Sequence, residues 1–235
     1  MEPFINRPVR GFTLVEMLVV LAIIVIITAI ALLGQTTFNR SLVLTDIAYT
    51  IAFSIREAQS YGISSRAAGA TTNAGYGISF ARTTPTSYVL FADTNPAKPG
   101  DTGNPSLCPG HPSVASSHPE AKPGNCIQNN ATEIVRRSTL NNGFKIKSFC
   151  GKDSGTEKCS DSAQTTTRLE SIHIVYLRPN TQSIITGVSA GSSNRVALSD
   201  ATIRITSPDE TAERCVLVSK AGQVSVVQKG TSACP

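Results

Sequence analysis

The sequence predicts an α+β protein: one long N-terminal helix followed by a domain of short antiparallel strands. Three observations carry this. Residues 12–33 are an unbroken apolar run in which Glu16 is the only charge. Residues 36–61 hold neither Pro nor Gly and place apolar residues at three- and four-residue steps. Beyond Tyr61 the period changes to two, and Gly, Pro, Asn and Ser punctuate runs of four to eight residues.

The N-terminal run comes first. At ~1.5 Å per residue, 22 residues make a helix of ~33 Å, enough to cross a hydrocarbon core of ~30 Å. Arg7 and Arg10 precede it, which keeps that end cytoplasmic and sends the rest of the chain outward. Three processing routes fit a basic, then apolar, N-terminus. One is a signal peptide cut after Ala29-Ile30-Ala31, and a second is an uncleaved anchor. The third is cleavage after Gly11, and this one alone gives Gly11 and Glu16 a role. It frees an α-amino group on Phe12, one helical turn from the Glu16 carboxylate. Either charge is costly alone in lipid; between neighbouring chains they neutralise each other and set an axial register.

The second helical half is amphipathic. Leu44, Ile47, Ala48, Ile51, Ile55 and Ala58 form one stripe, with Arg40, Asp46, Arg56 and Glu57 mostly off it. Residues 12–61 then form one helix of ~75 Å, and Gly62 offers a stop.

Short strands follow by pattern: 75–81 and 87–92 around Thr84-Pro85, then 133–140, 143–149 and 172–177, which Pro179 ends. Segments 183–187, 201–206 and 215–219 come next, the last joined to 223–227 through a Lys220-Ala221-Gly222 hairpin turn. Between them, 93–130 is a Pro/Gly-rich excursion, too long for an ordinary connection and expected on the surface.

Composition bounds the chemistry. The chain has 235 residues, six Cys, no Trp, a net charge of +5 and a pI near 9.0. Cys108, Cys126, Cys150, Cys159, Cys215 and Cys234 form an even set in an exported-looking chain, which reads as up to three disulfides. Order along the chain suggests Cys108–Cys126, Cys150–Cys159 and Cys215–Cys234, one of 15 possible pairings.

Metal-type residues occur at Cys108, His111, His118 and Cys126, but the spacing is irregular and the loop Pro-rich, so a disulfide with solvent-facing histidines is the reading. Asp93, Asn95 and Asp101 offer oxygen atoms without calcium-loop spacing and read as turn residues. No metal or cofactor is expected. His173 reads as a strand residue facing solvent, with no nucleophile elbow beside it, and no phosphate-binding loop or dinucleotide fingerprint appears. Enzyme activity is therefore not expected. Arg136, Arg137, Lys145 and Lys147 form a basic cluster. If their strands pair, Arg137, Lys145 and Lys147 share one face, a candidate DNA-phosphate contact; basic residues on exposed strands also serve solubility.

Gly11-Phe12-Thr13-Leu14-Val15-Glu16, set directly before an apolar run of this length, resembles the N-terminal signal of the type IV pilin superfamily. The resemblance implies a leader at 1–11, a transmembrane helix at 12–33, an amphipathic continuation at 34–61 and an exported domain at 62–235. It implies prepilin peptidase cutting after Gly11, N-methylation of Phe12, and assembly through Glu16 and the helix with other pilin or pseudopilin subunits. That chain would sit once across a bacterial inner membrane, then pass through an assembly platform into a pilus or secretion pseudopilus. Where major pilins carry Pro, this helix has Leu32-Leu33, leaving Gly34 as the weak point. Arg56-Glu57-Ala58-Gln59-Ser60, Leu177-Arg178-Pro179 and the 216–226 hairpin also resemble the GspH/FimT group of minor pilins. Some members of that group bind DNA, so a surface-displayed binding protein on the same anchor is the alternative role.

Overall fold

The computed structural model describes residues 11–64, 66–69, 74–94, 124–179, 181–191, 195–231 and 234, without the side chains of 33–38. The leader before Gly11 and most of the 93–130 excursion, with Asn95, Asp101, Cys108, His111 and His118, lie outside the described residues. Helix α1 runs Leu14–Ile63. The chain divides into two compact units, Met1–Leu42 and Val43–Pro235.

In the first unit α1 begins at Leu14, two residues after the expected Phe12. Thr13 caps it: the Thr13 Oγ1 accepts the Glu16 N–H at 3.2 Å, and the Met17 N–H reaches the Thr13 carbonyl at 3.2 Å. Ser, Thr and Asp side chains at this position satisfy otherwise orphaned helix donors. Glu16 then falls in the first turn, where a carboxylate meets the positive end of the helix dipole. The span Leu14–Leu32 has mean hydropathy 3.0 and none of it is buried. Its one mid-span hydroxyl, on Thr28, donates back to the carbonyls of Ile24 and Val25 at 2.8 and 3.0 Å. That leaves the polar group satisfied within the helix.

The second unit holds the rest of α1 and eleven strands in two antiparallel sheets. The first sheet orders β3(Ile134–Thr139), β2(Ser87–Asp93), β1(Gly75–Ala81), β6(Leu169–Tyr176), β7(Ser183–Ser189) and β8(Arg195–Leu198). The second orders β11(Val224–Gln228), β10(Glu213–Ser219), β9(Asp200–Thr206), β4(Lys145–Asp153) and β5(Thr156–Cys159). This is the expected α+β layout, with two strands, β5 and β8, that no expected segment covers. The short β5 and β8 carry too few alternating residues to announce themselves.

The helical stripe explains the core. Leu44, Ala48, Ile51, Ile55 and Ala58 are all fully buried. They pack in one cluster with Ile78, Phe80 and Ile174 of the first sheet and Phe149, Ile203 and Val216 of the second. A second cluster on the other face of the first sheet joins Val89, Phe91, Cys126, Val175, Leu177 and Ile184. Strand β6 is thus covered on both faces.

Gly62 does not stop α1, which continues to Ile63. Its role is close approach: a Cβ there would lie 2.3 Å from the Tyr176 carbonyl oxygen. Gly222 is in the β10–β11 turn at φ +84°.

Cys150–Cys159 staples β4 to β5, and Cys215–Cys234 ties the last residues to β10. They span separations of 9 and 19 residues. Restricting the unfolded chain over loops of that size stabilises by about 3 kcal/mol each on the chain-entropy account. Cys126 is also disulfide-bonded; Cys108, the partner suggested for it, lies outside the described residues.

Candidate functional site

Gly11, Phe12 and Thr13 precede the helix in non-helical backbone and are exposed. A Cβ on Gly11 would meet nothing within 4 Å, so space within this chain does not demand glycine there. The bond between Gly11 and Phe12 is therefore accessible, and the demand for glycine has to come from whatever acts on it. Phe12 is 76% exposed. Glu16 is exposed too, on the first turn of a helix that then carries no charge until Arg40. This is an accessible peptide bond, a carboxylate one turn beyond it, and an unburied apolar helix behind both. Such an arrangement can be cleaved and can then pair charge with a neighbour. Neither step needs a nucleophile or base from this chain.

The four basic residues singled out from the sequence do not form one patch. Strand β3, with Arg136 and Arg137, edges the first sheet; β4, with Lys145 and Lys147, lies inside the second. The expectation that Arg137, Lys145 and Lys147 share a face fails because their strands never pair. Three of the charges are also engaged. The Arg136 guanidinium grips Glu57 of α1, with Nη1 to Oε1 at 3.2 Å and a second bond of 2.5 Å to Oε2. Lys145 pairs with Glu210 at 2.7 Å, and Lys147 with Glu213 at 2.5 Å.

Sequence reasoning missed a buried polar junction at the root of the excursion. Asp93, expected in an exposed turn, ends β2 and is 2% exposed. Its two carboxylate oxygens accept the Asn125 N–H at 2.9 Å and the Cys126 N–H at 2.7 Å. The Arg195 Nη1 donates to the Asn125 carbonyl at 3.3 Å. Gly124 sits at φ +127°, where a Cβ would fall 2.5 Å from Asp93 Oδ2. Burial outweighs these backbone donors and pushes the Asp93 carboxyl up to about 7. Both oxygens accept backbone N–H groups, so Asp93 is a buried anchor for Asn125 and Cys126 and not an exposed turn residue.

His173 corrects a second expectation. It is buried, not solvent-facing. Its Nδ1 accepts the Gln128 N–H at 3.2 Å, so Nε2 carries the proton and donates to Ser171 Oγ at 2.9 Å. A ring fixed this way cannot take a proton from Ser171, so the pair is no nucleophile and base. Burial, with Arg195 adding a smaller push, drives the imidazole down to about 3. The signal was present in the sequence: Ile172 and Ile174 flank His173 in a strand whose neighbours are apolar on both sides. Alternation assigns His173 to the other face but cannot say that this face is also covered.

No described residues make a metal centre. Cys150, Cys159 and Asp161 lie within 4.8 Å of one another, but the two sulfurs are bonded to each other. Cys126 is likewise a disulfide cysteine, which removes it from the zinc-type quartet.

Comparison with known proteins singles out the same end of the chain. Residues 6–32 match the model of the prokaryotic N-terminal methylation motif. No curated protein matches, and no solved structure matches. The features that resemble GspH/FimT lie beyond residue 32 and gain nothing from this match. A methylation motif opening an unburied apolar helix, with an α+β disulfide-bonded domain behind it, supports placing the chain with the type IV pilins and pseudopilins.

Proposed function

We propose that this chain is a minor structural subunit of a type IV pilus or a type II secretion pseudopilus. Prepilin peptidase cuts after Gly11, Phe12 is methylated, and the helix is held in the inner membrane with the C-terminal domain outside. Assembly pairs the Glu16 carboxylate with the amine of a neighbouring subunit. The role is mechanical and asks for no catalytic residue. The observation that carries the reading is the motif at 6–32 running into a 19-residue span that is wholly unburied. Such a surface requires lipid or other helices around it. Minor status rests on the bulky excursion and the GspH/FimT-like features.

The test is the N-terminus and intact mass of the mature protein from membranes. The expected result is Phe12 as first residue, about 14 Da heavier than its sequence for one methyl group. An N-terminus at Leu32 defeats the reading, because a secreted domain without an anchor cannot assemble this way. The alternative of a DNA-binding display protein draws on Arg136, Arg137, Lys145 and Lys147. Engagement of three of these by carboxylates weakens it. Loss of DNA retention on neutralising all four would restore it.

A further inference from the structure

The second sheet carries a cavity whose charges are only partly balanced. It holds about 410 Å³ between β4, β5, β9 and β10, within the ~300–1,000 Å³ of ordinary small-molecule clefts. Arg204 and Leu217, which line it, alternate with Ile203 and Val216, which face the core. The cavity therefore lies on the outer face of the sheet.

Four charged side chains line it: Lys152, Glu157, Asp200 and Arg204. Two of them satisfy each other. Asp200 Oδ1 accepts the Lys152 N–H at 2.9 Å, and its Oδ2 lies 4.0 Å from Lys152 Nζ. The other two are left over. Among the described residues Arg204 and Glu157 form no ion pair, with each other or with any other group. Arg204 Nε is also buried without a hydrogen-bond partner, which is costly for a donor.

Strand register keeps the two apart. Arg204 sits opposite Ser148, and Glu157 opposite Lys152, four residues further along β4. That is ~13 Å along the strands and ~10 Å across two ladders, so their Cα atoms lie ~16 Å apart. Both side chains reach into the cavity from its two ends. The gap left between them is one that two extended residues, at ~3.4 Å each, can span. Leu217 and Cys150, the latter held in the Cys150–Cys159 disulfide, line the stretch between and make it apolar.

We propose that this cavity binds a short peptide in its zwitterionic form. The peptide carboxylate meets Arg204, its ammonium meets Glu157, and an apolar side chain lies against Leu217 and the disulfide. A guanidinium takes a carboxylate through two parallel N–H···O bonds. A purely anionic or purely cationic ligand leaves one wall charge unmatched and is disfavoured for that reason. The inference goes beyond the filament role and does not rest on it, so either can fail without the other.

Equilibrium dialysis of radiolabelled alanyl-leucine against the mature full-length chain in detergent tests the proposal. The dipeptide should be retained with millimolar or tighter affinity. Its N-acetyl and C-amide derivatives, each lacking one charge, should bind about tenfold more weakly. Arg204→Gln should weaken the dipeptide about tenfold and leave the affinity of the C-amide unchanged. Glu157→Gln should weaken the dipeptide equally and leave the N-acetyl derivative unchanged. Glu157 is exposed, so its variant still reads the site should Arg204→Gln fold poorly. Failure to retain the dipeptide overturns the proposal. Equal retention of the dipeptide and both derivatives also overturns it, because the contact would then be apolar only. So does a loss confined to Arg204→Gln, which would mark a simple anion site.

Discussion

Replacing His173 by Asn should make this fold relatively stronger in acid. Burial holds the imidazole down at about 3 in the folded state, while an unfolded histidine titrates near ~6.5. A group whose folded value is depressed favours the fold above the unfolded value. Its contribution is lost as pH falls, at ~1.4 kcal/mol per unit between about 6.5 and 3. Asp93 runs the other way. Its carboxyl is pushed up to about 7 against ~3.9 unfolded. Its contribution is therefore largest below about 4 and is lost at ~1.4 kcal/mol per unit as pH rises to about 7. Between about 4 and 6.5 the two slopes oppose and cancel. In the His173→Asn variant the new amide oxygen takes the place of the ring Nδ1 that accepts the Gln128 N–H, so the change mainly removes the proton site. Urea unfolding of the mature chain in detergent, at half-unit steps from pH 4 to 7.5, reads the variant minus the wild type. That difference cancels every other titrating group. It should fall by about 3 kcal/mol in favour of the wild type as pH rises from 4 to 6.5, then level off. A difference that stays flat with pH would mean that the ring protonates alike in both states, and the buried, fixed imidazole argued above would be wrong.

Asp93→Asn should show the mirror image in the same assay, with variant minus wild type rising ~1.4 kcal/mol per unit from about pH 4 to 7. It adds a constant loss of ~1–3 kcal/mol where the new NH2 faces a backbone N–H. Glu213→Gln should cost ~1–2 kcal/mol at pH 7 and less in acid. Burial alone would raise that carboxyl, but Lys147 and Lys229 outweigh it and hold it below the usual range, so its contribution disappears as pH falls; a pH-independent loss would contradict this. Gly62→Ala gains ~1 kcal/mol of helix propensity yet should lower stability by ~1–3 kcal/mol through the clash with the Tyr176 carbonyl. A rise in melting temperature would refute the close approach.

The helix and its stripe were legible because helical burial has a period that a reader can count: Leu44, Ala48, Ile51, Ile55 and Ala58 repeat at three and four, and all are buried. The N-terminal motif was legible because its residues are contiguous. The basic cluster misled because closeness in sequence says nothing about which strands pair; β3 and β4 follow each other yet sit in different sheets. Asp93 and His173 were misread for a related reason. Alternation reports which residues share a face, while coverage of that face depends on segments far away, here Asn125–Gln128 and Arg195.

The same contrast explains why one helix carries two patterns. From Leu14 to Leu32 it is apolar all round and none of it is buried, so no face can be told from another and the sequence names only a length. From Leu44 onward one side meets the two sheets and the other does not, and the residues sort accordingly. An all-round apolar helix is the pattern of lipid or of a bundle of like helices. A striped helix is the pattern of a folded domain. Phe53 breaks the stripe, as an aromatic on the side that should be polar.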